Sequence, residues 1–363
     1  MEMRSVLRGV AFFSLMQASC LAYSQSSVTL YGIIDTGVEY YNHAAGGGSF
    51  AGVPTLTGEV PSEWGLTGVE DLGGGNKAFF KLENGFAPGT GGFNYGSREF
   101  GRQANVGIQT AYGSLTLGRQ INMTTYSLLS ADVIGPSIHS LYVFDNYLPN
   151  ARSDNAIGYM GKFAGVTVGA TYSFGRDAAG PAGPAATNCP GQVAGNFLAC
   201  KQYTGLIAYD SSHFGAAVSY DRMRGNEGAS APLTNSAYTD SRSVVDGYFK
   251  CASLKAGGGW VHRNLSAGVA STLYNLYFLG LTYVPFASLV IDTQVDKYIQ
   301  PHATSSTELV ARASYYLSKN TSVYSSMGYM VNGRNGSTSV AAGGTVEPGA
   351  EQLGVMLGVR HSF

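Results

Sequence analysis

The residues best placed to do chemistry are charged side chains gathered around one irregular stretch. Between Ile121 and Asn150 lie Asp132, Asp145, a Gly135-Pro136 breaker and the apolar-aromatic run Leu141-Tyr142-Val143-Phe144, with arginines flanking at Arg119 and Arg152. A structureless connection of about thirty residues is uncommon and is usually functional. A merely solvated loop has no use for that apolar content. The pattern implies an ordered loop folded against something, presenting carboxylates toward arginines.

Other chemistries find no support in spacing. The Gly68–Gly75 stretch is loop-like, but Asn76-Lys77-Ala78 follows where a phosphate loop needs Gly-Lys-Ser/Thr. A Gly-x-Ser-x-Gly elbow is absent. The six histidines are scattered and fall mostly in expected loops or turns, and nothing in the sequence fixes a catalytic partner for any of them. Cys/His spacing suits no zinc site, so neither a metal nor a cofactor is expected. With a formal net charge of -1 and basic residues isolated among glycines and acids, a nucleic-acid groove is not expected either.

The elements that must hold these charges are strands. Charged residues are 12% of the chain, about half the usual share, while Gly reaches 50 and Tyr 24 of 363 residues. Such a composition fits a closed sheet with apolar side chains outward and polar ones inward. From Val28 to Tyr40 the even positions are mainly apolar, whereas Asp35 and Glu39 share the odd face. Glu63 to Val69 alternates likewise, turns through Glu70–Asn76, and continues as Lys77 to Phe86, with Lys77, Lys81 and Glu83 on one face.

Similar segments follow at 102–109, 114–119, 155–160, 166–174, 203–209, 214–220, 244–251, 254–261, 273–283, 289–298, 308–317, 322–331 and 352–363, giving about sixteen in all. Short turns alternate with longer Gly/Ser/Asn/Pro-rich loops, as in outer-membrane barrels. A soluble sandwich or propeller also uses many strands. Against it stand strands of about ten residues, enough to cross a bilayer when tilted, aromatics near strand ends, and the need for full closure in lipid. One domain is expected, spanning 25–363.

Residues 1–24 carry the marks of a signal peptide: Arg4 and Arg8, an apolar stretch from Val10 to Leu15, and small residues at Ala22 and Ser24, with cleavage near Gln25. Gln17 stands where a lipidation signal has an aliphatic residue, so Cys20 is expected to leave with the signal. Cys189 and Cys200, in a Gly/Pro/Ala-rich stretch of an exported chain, are the disulfide candidate, which leaves Cys251 unpaired.

The stretch Gly68-Val69-Glu70-Asp71-Leu72-Gly73-Gly74-Gly75-Asn76-Lys77-Ala78, with Lys81-Leu82-Glu83-Asn84-Gly85-Phe86, resembles the Gram-negative general porins. So do Glu99–Gly107, Gly113–Gln120, Arg152–Tyr159, the opening Ser27-Val28-Thr29-Leu30-Tyr31-Gly32 and the closing Gly358-Val359-Arg360-His361-Ser362-Phe363. These matches run in order along the whole mature chain.

The resemblance implies an all-β fold: a sixteen-stranded antiparallel transmembrane β-barrel, assembled as a homotrimer in outer-membrane lipid of a Gram-negative cell. Its third external loop, Ile121 to Asn150 here, folds inward. The implied function is passive diffusion of small hydrophilic solutes and ions, without catalysis. Arg102 and Arg152, with Arg119 nearby, match wall arginines that face acids of that loop, for which Asp132 and Asp145 are the candidates. Opposed charges across a narrow pore set up a transverse field that favours polar solutes.

One departure concerns Trp64-Gly65. The family commonly has basic residues on either side, and this chain has Glu63 and Thr67. A weaker anion preference, or a cation preference, follows unless Lys77 and Lys81 offset the change. In the last strand Leu353, Val355, Leu357 and Val359 share parity with Phe363, the pattern by which the family engages the barrel-assembly machinery. The alternative class is a barrel acting as an adhesin or receptor through its external loops, or a barrel enzyme.

Overall fold

The computed structural model describes residues 27–176, 189–268 and 270–363. The expected signal segment 1–24, with Cys20, lies outside the described residues.

Alternation of apolar and polar side chains builds one sheet of 17 strands, each antiparallel to its neighbours. They are β1 (Ser27–Tyr41), β2 (Phe50–Gly52), β3 (Glu63–Gly73), β4 (Asn76–Gly85), β5 (Gln103–Thr110), β6 (Gly113–Ile121), β7 (Arg152–Phe163), β8 (Val166–Ser173) and β9 (Gln202–Asp210). There follow β10 (Phe214–Arg224), β11 (Thr239–Cys251), β12 (Leu254–Ala267), β13 (Ala270–Phe286), β14 (Leu289–Gln300), β15 (Thr304–Tyr316), β16 (Thr321–Asn332) and β17 (Glu351–Ser362). β2 is a three-residue strand paired with the end of β1 inside a connection, so the wall proper has sixteen strands. β17 pairs back onto β1, with Ile33 opposite Ser362 and Tyr41 opposite Gly354, which closes the barrel and leaves the wall no edge.

The two faces invert the pattern of a water-soluble protein. Leu30, Val38, Ile108, Leu117, Leu279 and Leu357 are all exposed on the outer face, the last at 67%. Asp35, Glu83, Arg242, Asp296 and Gln352 are buried on the other. An apolar band of this extent is stable only against lipid, where closed hydrogen bonding of the backbone is obligatory.

Turns at one end are tight, such as Gly73-Gly74-Gly75, whose φ of +81°, +62° and +81° suit glycine. At the other end most connections are long, but β12–β13 and β14–β15 are joined by short ones, so the alternation of short and long is incomplete. The third connection at that end, between β6 and β7, carries a helix, α1 (Met123–Ala131). Cys189 and Cys200, in the fourth, form a disulfide with Cα atoms 5.7 Å apart, and Cys251 is free and exposed.

Candidate functional site

The strand register sets a row of charges across β3, β4 and the entry to β5. Gly65 lies opposite Glu83 and Thr67 opposite Lys81, which puts Glu63, Lys81 and Glu83 on the same polar face. Arg102, one residue before β5, bonds Glu83 through Nε at 2.8 Å, donates to the Tyr95 hydroxyl at 3.1 Å, and pairs with Glu63. Lys81 Nζ reaches Glu83 at 3.1 Å, and the Tyr31 hydroxyl donates to the same carboxylate at 2.6 Å. Glu83 is thus buried only because cations and donors surround it. Lys81 stays about one-third exposed, over the Tyr31 ring.

Two more arginines continue the row. Arg119 pairs with Asp154 on β7 and donates to the Gly101 carbonyl at 2.7 Å. Arg152 donates to the carbonyls of Arg102 (3.1 Å), Pro149 (3.4 Å) and Ala151 (3.2 Å), and to no carboxylate among the described residues. Both guanidinium carbons lie about 6 Å from the ring of Tyr95, at 6.0 and 5.9 Å. Tyr95 itself is held at φ 59°, ψ 43°, a left-handed conformation costing on the order of 1 kcal/mol that persists only when the surroundings fix it.

The segment after β6 meets the polar face of the opposite wall. Asn122 caps α1 by accepting from the Thr124 and Thr125 amides, while its own amide donates to Asp221 at 2.9 Å. Ser127 donates to Asp246 at 2.5 Å, and Arg312 donates to the Ile134 carbonyl at 2.8 Å. Leu128, Ala131, Leu141, Tyr142 and Leu148 pack with Val244, Val261, Leu276 and Phe278 of β11–β13. At about 1.5–3 kcal/mol for each large side chain, this cluster holds the segment more firmly than any single polar contact. The run Leu141–Phe144 therefore has its partner, and Phe144 also stacks on Tyr298.

Where segment and wall touch, the wall residue is repeatedly glycine. A Cβ at Gly257 would strike the Ala131 carbonyl, one at Gly280 would strike Val133, one at Gly354 would strike His139 and Val340, and one at Gly328 would strike Val340 and crowd His139.

The loop acids do not face Arg102, Arg119 and Arg152. Asp145 makes a bidentate pair with Arg242 of β11, at 2.7 and 3.0 Å, with Arg263 at 3.9 Å. Burial alone would raise its carboxyl, but Arg242 and Arg263 hold it below the usual value. Asp132 follows α1 directly, is 6% exposed, and accepts from the Ile134 amide at 3.2 Å, with no cation partner among the described residues. Burial pushes its carboxyl up. Both acids lie on the side of the loop turned to β9–β15, because there the apolar cluster draws the chain down. His139, fully buried beside Ser326, is pushed down to about 4 by burial.

Sequence reading thus finds Glu63, Lys81, Arg102, Arg119 and Arg152 in one place, puts Glu83 on the same face without counting it in the site, and misses Asp154, Tyr95, Arg242 and Arg263. Arg242 was within reach: Asp240, Arg242, Val244 and Asp246 share one parity and one buried face, and Arg242 lies two residues before the expected strand start at Val244. Tyr95 sits in an irregular loop and carries no such signal.

Residues 11–335 match the family described as Gram-negative porin. The chain belongs to the Gram-negative porins. It is 29% identical to outer membrane porin protein 32 of Delftia acidovorans over 96% of this chain and 98% of that one. It is 36% identical to an outer membrane porin protein of Bordetella pertussis over 42% of this chain and 44% of that one. Among solved structures, the anion-selective porin from Comamonas acidovorans matches with a TM-score of 0.77 and 25% identity over 93% of this chain and 100% of that one.

This porin is accordingly a passive channel of the Gram-negative outer membrane. Among the described residues no three His, Cys, Asp or Glu side chains are grouped to hold a metal ion. On the short-turn side of the arginine row, Lys81, Gln103, Asn105, Gln120 and Tyr126 line an open cavity of about 430 Å³.

Proposed function

We propose that the porin passes small hydrophilic solutes and ions between the β3–β7 wall and the 121–150 loop, which acts as an inward-folded constriction. The observation that carries this is the charge row. Lys81, Arg102, Arg119 and Arg152 stand against Glu63, Glu83 and Asp154, four cations to three carboxylates, leaving one positive charge that Arg152 holds without an acid partner among the described residues. A single excess charge in a water-filled passage gives a weak anion preference. The relative from Comamonas acidovorans is named as anion-selective, and Glu63 is the reason to expect less here.

The exposed apolar band further supports a homotrimer in outer-membrane lipid. The terminal Phe363, bonded through its backbone to Gly32 at 3.0 Å in both directions, is the residue to engage the barrel-assembly machinery. Residues 1–24 serve as the export signal, and 25–363 form one domain. Purified protein in a planar bilayer under a potassium chloride gradient tests the channel and its sign: stepwise currents with a reversal potential on the anion side are expected. A reversal potential on the cation side overturns the charge reading.

A further inference from the structure

The helix that the loop lays into the barrel carries no charge: none of the nine residues of α1 is acidic or basic. Met123, Thr124, Ser127, Leu128 and Ala131 recur on one helical face and are buried. That face meets the wall, where the Met123 amide donates to Thr204 of β9 at 3.3 Å and Ser127 donates to Asp246 of β11. On the opposite face stand Tyr126, partly buried, and Leu129, with 58% of its surface free.

Two cavities flank the helix and divide these side chains between them. The cavity of about 430 Å³ beside the charge row is lined by Tyr126 together with Lys81, Gln103 and Gln120. A second, of about 230 Å³, is lined by Tyr126, Leu129 and Ser130 with Asp210, Asp246 and Tyr248 of the opposite wall. From α1 only Tyr126 lines both, and the other residue common to the two, Met160, belongs to the wall strand β7. Burial pushes the Tyr126 phenol up, Arg152 draws it down and Glu83 pushes it up, so the ring stands close enough to the charge row to feel both.

We propose that Tyr126 sets the size limit of the passage: its ring stands between the two cavities, across from Lys81 and Gln103, and fixes how large an uncharged solute can cross. The proposal rests on the 121–150 loop being the constriction. An aromatic side chain has only two side-chain torsions, and this one projects from a helix whose other face is buried, so the ring is a firm obstacle that screens solutes by cross-section. A phenol is neutral at neutral pH, so Tyr126 obstructs anions and cations alike and leaves the sign of selectivity to the wall.

The test uses the full-length channel, in a planar bilayer for potassium chloride current and in liposomes for swelling with arabinose, a monosaccharide, and raffinose, a trisaccharide. Tyr126→Ala should raise single-channel conductance at least about 1.5-fold and the raffinose-to-arabinose rate ratio at least about threefold, with the reversal potential unmoved. An unchanged ratio overturns the proposal. Tyr126→Phe keeps the ring and should restore the wild-type ratio; a rise like that of the alanine variant assigns the effect to the hydroxyl and overturns it too. Leu129→Ala removes the more exposed side chain of the same helix face, and a rise equal to that of Tyr126→Ala would mean that the loop has merely loosened, which again overturns the assignment. Tyr126→Trp should lower the ratio at least about twofold, and no change there overturns the proposal even if Tyr126→Ala does not fold. A wild-type protein without potassium chloride current refutes the channel reading instead, whereas current that no substitution at Tyr126 alters refutes only the role given to this residue.

Discussion

Glu63→Gln is the substitution that most directly tests how this wall selects ions. The carboxylate pairs with Arg102, whose other partners Glu83 and Tyr95 remain, so the arginine keeps its position and the barrel its fold. The row then gains one net positive charge. A unit charge about 6 Å from a passing ion in water is worth roughly 0.7 kcal/mol before screening, and about 0.4 kcal/mol with it at a Debye length of about 10 Å. The effect acts with opposite sign on anion and cation, so their permeability ratio should shift by roughly fourfold toward the anion. Starting from a nearly unselective channel under a tenfold potassium chloride gradient, the reversal potential should move by roughly 30 mV, against a maximum of about 59 mV for perfect selectivity. A shift below about 5 mV would mean that Glu63 does not face the path, and the account of this porin's charge balance would fail with it.

Asp132→Asn should leave the reversal potential where it is, because the side chain accepts from the Ile134 amide behind the loop and faces no permeant ion; a clear shift toward anions would place the carboxylate in the path after all. Asp145→Ala should cost about 3 kcal/mol of loop anchoring, by stripping Arg242 of its bidentate partner, and appear as flickering single-channel current rather than changed selectivity. Asp145 is held below its unfolded value near about 3.9, so its contribution is full above that value and lost as pH falls through the lower folded one; flicker should rise in wild-type channels only below about pH 4. His139 Nε2 lies 3.8 Å from Glu39 Oε1, yet burial prevails over that neighbour and holds the imidazole low. Its folded value of about 4 lies below the unfolded value near about 6.5, so stability is lost as pH falls between the two, by up to about 3 kcal/mol, and His139→Gln should flatten the pH dependence of thermal unfolding across that window.

The wall was legible because its rule is local. Period two and tight turns mark every long strand from Ser27 to Ser362, and the missing β2 is three residues held only by pairing with β1. Glu63, Lys81 and Arg102 could be placed together because parity and adjacency decide which strand residues share a face. The loop's partners could not be placed that way. Asp145 and Arg242 are 97 positions apart, and which of several arginines an acid meets depends on where the apolar cluster lays the loop down. Tyr95 owes its place to a left-handed backbone inside an irregular connection, for which spacing offers no rule.

The glycines beneath the loop give the channel a second, silent way to vary. Gly257, Gly280, Gly328 and Gly354 form a mould whose depth is set by side chains that are missing. A single methyl group at one of them would lift the loop toward the arginine row and narrow the aperture without altering any charge. If the loop is the proposed constriction, size exclusion and ion preference fall on separate residues of this porin, and a lineage could tune one by drift at uncharged wall positions while the other is held constant.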